Sequence, residues 1–408
     1  MPQTNKSLLP TLDDLGDLNG KAVLVRTDFN VPLQARDKDF EITDDRRIRA
    51  VIPTLEHVLN QNPSKVTALT HLGRPEQPAK SDWSATSAPA AWSELSAPVG
   101  ADLRYSVEPV RSRLKELLPD VNLAENLRFH PGEKANAPAF AAQLANGYDA
   151  YVNDAFGVAH RSAASVVGVP QLLPAAAGHL LSHEVEVLGG LRAAPKRPFV
   201  AVLGGAKVSD KLGVISALLS VVDELVIGGA MCFTFLKAKG HSVGASLVED
   251  TMVAQCEALL ESNPKLHLPY DIVSMSPDGQ LGNPSSGPLV GTVRNTGCDI
   301  PEGWLGADIG PGSAAEFSDV IEEAATVFWN GPMGVFEDPR FSAGTEAIAH
   351  AMANTRAFTV VGGGDSAAAA RQLGIDDQVD HVSTGGGASL EFIEKGDLPG
   401  LAALRKSA

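Results

Sequence analysis

Residues 357–373, AFTVVGGGDSAAAARQL, change character twice within one line. Phe358 to Val361 is a short β-branched run, Gly362 to Gly364 a three-glycine turn, and Asp365 and Ser366 open an alanine-rich helix. Strand, tight turn and helix make half of a βαβ unit, and the N-terminus of such a helix is an anion site. Asp365 would repel a phosphate there unless a divalent cation lay between them, which points to Mg²⁺ held by few protein oxygens and otherwise by nucleotide and water. Simple capping of the helix by Asp365 is the competing reading, and GGGDSA also fits a dinucleotide-type GxGxxA pattern.

The same alternation extends outward to both ends. KAVLVR, KVTALT, VNLAEN and DAYVND in the first half, then FVAVLG, ELVIGG, DIVSMS, ATVFWN and HVSTGGG in the second, are short apolar runs separated by longer stretches with helical periodicity. This predicts an α/β chain with parallel sheets covered by helices on both faces. Prolines bracket an amphipathic stretch between the halves, so residues 175–191 are expected to form a linking helix between domains at 1–174 and 192–395. Glu76 to Leu103, rich in Ala, Ser and Pro, reads as a surface insertion, with at most a short helix through Trp92.

The 408 residues suit two or three domains, and 44 % apolar with 20 % charged residues supply a packed core. With 33 basic and 49 acidic side chains the net charge is −16, which disfavours nucleic acid and anionic membranes as partners while allowing a small anion. Cys232, Cys256 and Cys298 are too few and too scattered for a disulfide framework, so a cytoplasmic location is expected. Neither an export signal nor an apolar run of membrane-spanning length is evident.

In open parallel sheets ligands bind beyond the carboxyl ends of the strands. After the first-half strands come Arg26, Asp28 and Asn30, then His71 and Arg74, Arg128 and His130, and His160 and Arg161. Arginines converging there repel one another unless an anion or a buried carboxylate joins them, and the guanidinium fork suits phosphate and carboxylate. In ITDDRRIRAVIPTLEHVLN, Thr43 reads as a helix N-cap; Arg46 and Arg47 oppose the dipole of that first turn, so either faces an anion or pairs with Asp44 and Asp45. Second-half strands end instead in glycines: GGAKVSDK (204–211), IGGAM (227–231), WNGPMGVFE (329–337) and STGGGASLE (383–391). Glycine lets backbone N–H groups approach a phosphate chain. Lys207 and Lys211, four apart, are expected to share a helix face turned toward an anion. No GxxxxGK[ST] or HRDxxxxN motif occurs, which closes the P-loop and protein-kinase routes.

VRTDFNVP, TDDRRIRAVIPTL, HLGRP, ENLRFHPGE, VNDAFGVAHR, LGGAKVSDKL, IGGAMCFTFL, WNGPMGVFE, GGGDS and STGGGASLE, in this order over about residues 20–391, resemble the phosphoglycerate kinase family. The resemblance implies two Rossmann-like three-layer α/β/α domains closing about the 175–191 hinge, with 396–408 folding back onto the first. It implies 3-phosphoglycerate on the first domain, at Asp28, Asn30, Arg47, His71, Arg74, Arg128 and Arg161. On the second it implies MgATP or MgADP at Lys207, Lys211, Gly228, Gly229, Gly306, Asn330, Glu337, Gly362, Gly363, Gly364, Asp365 and Ser366. Asp365 would hold the metal, Glu337 the ribose, Lys211 the phosphates, and Gly228, Gly229 and Gly306 would border the adenine; Arg47 and Lys211 would be catalytic.

The implied reaction is reversible phosphoryl transfer between ATP and the carboxylate of 3-phosphoglycerate by a monomer. A carboxylate is already ionised at pH 7, so no general base is needed. Ser366 stands where the family usually has Thr, Ala230 where a third Gly is common, and the 76–103 segment looks longer than usual. Two rival readings are a dehydrogenase binding NAD(H) at GGGDSA with Asp380 on the ribose, and a sugar-phosphate sensor without turnover.

Overall fold

The structure, a computed structural model, describes residues 9–36, 39–75, 102–282 and 288–407. The Ala/Ser/Pro-rich insertion therefore lies outside the described residues as far as residue 101. The chain divides into two compact units, one formed by Met1–Glu186 with Asp397–Ala408 and the other by Val187–Gly396.

The first unit contains β1 (Ala22–Arg26), β2 (Leu33–Arg36), β3 (Asp39–Ile42), β4 (Lys65–Leu69), β5 (Val121–Leu123), β6 (Ala150–Asn153) and β7 (Ala175–Ala177). Five of them form a parallel sheet in the order β5-β4-β1-β6-β7, while β2 and β3 make a separate antiparallel hairpin. Val23 to Arg26, Val66 to Leu69 and all of β6 are buried, as strands covered on both faces must be. The chain builds outward from β1 to β5, then returns to β6 on the other side of β1. The order thus reverses between β1 and β6, and the crevice beyond their carboxyl ends is where a ligand fits.

The second unit contains β8 (Phe199–Leu203), β9 (Glu224–Ile227), β10 (Leu266–His267), β11 (Ile272–Met275), β12 (Val293–Asn295), β13 (Leu305–Ile309), β14 (Thr326–Asn330), β15 (Phe358–Val361) and β16 (His381–Val382). Its parallel sheet runs β10-β9-β8-β14-β15-β16, so the order reverses between β8 and β14. Both central strands are buried along their whole length, with Trp329 in the core against Val200, Val202 and Val361. DIVSMS does form a strand, but β11 joins β12 and β13 in a small antiparallel sheet rather than the parallel one. Among the described residues no helix is long and apolar enough to cross a membrane.

Two further expectations need correction. The 175–191 stretch is not helical from its start: Ala175–Ala177 pairs with β6, and the helix runs His179–Ala193. Alanine favours helix intrinsically, but here the ladder to β6 and the bond from Ala177 N–H to the Pro10 carbonyl at 2.8 Å prevail. The division between the units falls inside this helix, after Glu186. Its N-terminus is satisfied by the first unit, with His179 N–H on Thr54 Oγ1 at 2.9 Å and Leu181 N–H on Asp154 Oδ1 at 3.0 Å.

Thr43 is likewise not an N-cap. The first helix is the single turn Arg46–Arg49 with Asp45 at its cap, and Pro53, which lacks an N–H, sits in the first turn of a second helix, Ile52–Leu59.

Gly178 separates β7 from the helix because no side chain fits there: an added Cβ would lie 2.3 Å from Asp154 Oδ1. That oxygen is pinned by the Leu181 N–H and cannot swing away freely. Gly178→Ala is therefore expected to destabilise the first unit by roughly 2 kcal/mol, read as a lower urea midpoint with an unchanged slope.

Candidate active site

Beyond the carboxyl ends of β1, β4 and β5, the first unit holds a cavity of about 400 Å³. Its wall carries five cationic side chains, Arg26, Arg74, Arg128, Arg161 and Lys134, against one carboxylate, Glu133. Each strand contributes for a local reason. Arg26 is the last residue of β1, and its guanidinium folds inward, only 2 % exposed. Arg128 follows β5 in a short turn capped by the Asn126 side chain, and it donates to the Gly73 carbonyl. Arg74 is set by the HLGRP turn, which Asn30 fixes by accepting the Gly73 N–H at 2.8 Å. Burial, then Arg161, Arg26 and Arg74 in turn, push the Arg128 guanidinium down to about 10, with Asp28 opposing.

Asp28 organises the cavity's rim. Its Oδ2 takes Arg47 Nη1 at 2.5 Å, and its Oδ1 lies 3.7 Å from His71 Nδ1. Of the two first-turn arginines, Arg47 is the one directed toward the β1 end, while Arg46 turns to Asp44, and Asp45 takes Arg49 and Arg113. Burial alone would push the Asp28 carboxyl up, but the Arg47 and Arg26 charges, with the Asn30 N–H bond, outweigh it and hold Asp28 below the usual range. The same burial pushes His71 down to about 3 against the pull of Asp28, so its imidazole is neutral at pH 7 and the arginines are the charges that keep Asp28 ionised.

All seven residues assigned to the first-domain substrate therefore gather around one strand-end crevice or its supporting turns. Arg26 was missing from that set. The strand-end pattern groups Arg26 with the converging arginines, while the residues implied by the family resemblance leave it out; its position in the cavity wall supports the strand-end pattern. His130 belongs to the scaffold: its Nδ1 accepts the Gly132 N–H at 3.0 Å, and its ring stacks on Phe140.

In the second unit, three backbone turns meet where β8, β9 and β14 end. A Cβ on Gly204 would lie 2.0 Å from the Pro332 carbonyl, one on Gly229 2.5 Å from Gly205 N, and one on Gly331 2.3 Å from the Gly204 carbonyl. Gly229 and Gly331 also have φ of +63° and +93°, so glycine is required twice over. Gly228 lies against Met333, and Gly306 packs on the Phe233 ring. At the β15 end Gly362 and Gly363 turn the chain into the Gly364–Gln372 helix, and nothing lies within 4 Å of where a Gly364 Cβ would be.

Asn330, 1 % exposed, donates to the Gly362 carbonyl at 2.5 Å and accepts from Lys211 Nζ. Ser366 is buried, its hydroxyl donating to the Gly362 carbonyl at 2.7 Å and accepting the Gly331 N–H at 2.8 Å, which ties the β14 and β15 turns together. Asp365 and Glu337 are exposed. Lys207 and Lys211 do not share a helix face. The helix begins only at Leu212, with Lys211 at its cap and Lys207 exposed in the preceding turn. Burial pushes the Lys211 ammonium down to about 8, while Asp365 and Asp210 pull it up.

Among the described residues no group of three or more His, Cys, Asp and Glu side chains forms a metal cage. One exposed carboxylate in a helix first turn, Asp365, nevertheless suits a metal that arrives already bound to phosphates, since Mg²⁺ keeps most of its ligands from nucleotide and water. Asp380 cannot serve a ribose beside GGGDSA. It is engaged with Thr359 N–H at 2.8 Å and Thr359 Oγ1 at 3.1 Å near the opposite end of β15, and this removes the support for the dehydrogenase reading.

A cationic small-anion pocket on one parallel α/β unit and a glycine-lined phosphate cradle on another define a phosphotransferase of the small-molecule kinase class. Comparison with known proteins agrees. The family model "Phosphoglycerate kinase" matches residues 12–396. A phosphoglycerate kinase of Rubrobacter xylanophilus is 50 % identical over 413 residues, covering 95 % of this chain and 96 % of that protein. One of Salinispora arenicola is 51 % identical over 410 residues, covering 97 % and 98 %. The solved structure of phosphoglycerate kinase from Coxiella burnetii superposes with a TM-score of 0.80 at 35 % identity, covering 98 % of this chain and 99 % of that one. The chain belongs to the phosphoglycerate kinase family and is a kinase.

Arg161 is exposed and makes no ion pair among the described residues, yet it adds repulsion to Arg128. Without an anion, Arg161→Ala should leave thermal stability unchanged or slightly raised, by a few tenths of a kcal/mol. The stabilisation that the wild type gains from added phosphate should be reduced severalfold in the variant; differential scanning calorimetry with and without phosphate measures both.

Proposed function

We propose that this chain catalyses reversible, Mg²⁺-dependent phosphoryl transfer between ATP and the carboxylate of 3-phosphoglycerate, giving ADP and 1,3-bisphosphoglycerate. The observation that carries this reading is the five-cation wall of the first-unit cavity, more positive charge than its own carboxylate can offset. A bound phosphate and carboxylate supply the balance.

Arg74, Arg128 and Arg161, with Asn30 and His71 supporting, hold the 3-phosphoglycerate. Asp28 presents Arg47 to the reacting end. In the second unit the glycine turns at 228–229 and 362–364, with Gly306, line the nucleotide; Glu337 binds the ribose and Lys207 the phosphates. Asn330 aims Lys211, and Ser366 holds the phosphate turn in shape. Asp365 holds Mg²⁺, whose charge offsets that of the phosphate oxygens when it is bound.

Because the acceptor carboxylate is ionised at neutral pH, no side chain has to remove a proton. Arg47 and Lys211 then act on the charge that spreads over the transferring group, which is electrostatic stabilisation rather than acid–base work. The reacting atoms meet when the two units close about the His179–Ala193 helix, which acts as the hinge. The enzyme works as a cytoplasmic monomer on small molecules, and its acidic surface keeps nucleic acid and anionic membranes away.

A coupled assay with 3-phosphoglycerate, ATP and Mg²⁺, trapping the acyl phosphate with a dehydrogenase, tests the reading directly. Turnover is expected, and Arg47→Ala should lower kcat about 100-fold or more with a small change in KM. A raised KM at unchanged kcat removes Arg47 from the transition state.

Lys211 supplies a pH signature. Its folded-state value is about 8, below that of a free lysine, and its role needs the protonated form. kcat/KM for the nucleotide should therefore hold at neutral pH and fall as pH rises through about 8. Lys211→Arg should abolish that fall while retaining part of the activity.

A further inference from the structure

Glu133 is out of place. It lines the cavity whose other charged residues are arginines and a lysine, it is 5 % exposed, and burial pushes its carboxyl up. A carboxylate there works against the binding of an anion unless it does something else.

Its hydrogen bonds show what that is. Both oxygens go to one residue: Ser165 N–H donates to Oε2 at 2.9 Å and the Ser165 hydroxyl to Oε1 at 2.5 Å. The same hydroxyl oxygen accepts Arg26 Nε at 2.9 Å. A serine hydroxyl has one hydrogen, which Glu133 takes, so the chain has a fixed direction from Arg26 through Ser165 to Glu133. Ser165 is held again at its carbonyl, which accepts the Tyr151 hydroxyl at 2.6 Å. Arg26 Nη1 is occupied by the Thr27 and Leu69 carbonyls, and Nη2 lies 3.4 Å from His71 Nδ1. Among the described residues no carboxylate comes within ion-pair distance of Arg26.

We propose that Ser165 and Glu133 are positioning residues that fix the Arg26 guanidinium in the anion cavity while keeping its counter-charge one hydroxyl away. A direct Arg26–Glu133 fork would take two N–H groups in a bidentate pair and compete with the ligand. The interposed hydroxyl consumes only Nε, which sits at the back of the guanidinium, and the carboxylate still polarises the chain through it. This rests on the cavity being the 3-phosphoglycerate site.

The test is calorimetric titration of the full-length chain with 3-phosphoglycerate and, separately, with MgADP. Ser165→Ala should weaken 3-phosphoglycerate about tenfold and leave MgADP unchanged. Glu133→Gln gives an opposing sign: deleting a negative charge beside an anion site tightens binding on charge grounds alone, whereas loss of the positioning weakens it, and weakening is expected. In an Arg26→Ala background, Ser165→Ala should add less than about twofold, because it acts through Arg26.

Tighter 3-phosphoglycerate binding in Glu133→Gln, additive losses in the double variant, or equal losses for both ligands would each overturn the proposal. If Ser165→Ala does not fold, the sign of the Glu133→Gln effect decides alone. Unchanged binding in Arg26→Ala sinks the positioning role but leaves the proposed function standing. A wild type that binds MgADP but no 3-phosphoglycerate sinks both.

Discussion

Cations assembled without enough counter-charge are the constraint on which the first unit is built. Two unit charges about 7 Å apart repel by about 2 kcal/mol at an effective dielectric near 20, so several arginines in one cavity need a rigid frame to hold them. The buried strands β1, β4 and β5 provide it, and three of the cations are tied to fixed neighbours: Arg47 Nη1 to Asp28, Arg26 Nε to Ser165, and Arg128 Nη1 to the Gly73 carbonyl. The scaffold supplies position and the ligand supplies the missing charge. Empty, such a site stores repulsion that a phosphorylated acid relieves.

The second unit meets a different demand with a different device. A nucleotide's phosphates need many weak donors at close range, and backbone N–H groups reach them only where no Cβ intervenes. Gly204, Gly229 and Gly331 let three turns nearly touch at the β8/β14 reversal, and Asn330 and Ser366 lock the β14 turn to the Gly362 carbonyl of the β15 turn. Side-chain charge is sparse here, with Lys211 half-buried and Asp365 exposed, so under the proposed function phosphate recognition would fall mainly to backbone geometry.

Much of this was legible because strand ends are legible. An apolar run that stops at Arg26, Leu69, Asn153 or Val361 fixes which residues come next into the crevice, whatever the detailed packing. Tertiary contacts decided the rest. Ala175–Ala177 has the composition of a helix and became a strand because β6 offered a ladder. Arg46 and Arg47 are indistinguishable by local physical pattern; the family resemblance singles out Arg47, and the long-range partner Asp28, nineteen positions earlier in the chain, is the physical difference between them. Lys207 and Lys211 have helical spacing, yet the turn that brings backbone to the cradle delays the helix to Leu212. The pair formed by Glu133 and Ser165 leaves no local trace, since nothing in either segment announces the other.

The return of the last segment to the first unit has a consequence for how the protein is made. Gly400 N–H bonds to the Ala159 carbonyl at 2.8 Å, and a Cβ on Gly400 would lie 2.8 Å from a methyl of Val166, which lines the anion cavity. In topological terms residues 187–396 are an insertion within the first unit. On the ribosome, the unit begun first is therefore the one finished last. Its cavity wall acquires its backing only when the final helix, Pro399–Ser407, has left the exit tunnel, by which time the whole of the inserted unit has been synthesised. A nascent or C-terminally clipped chain can thus contain an intact nucleotide cradle while the anion cavity still lacks part of its support.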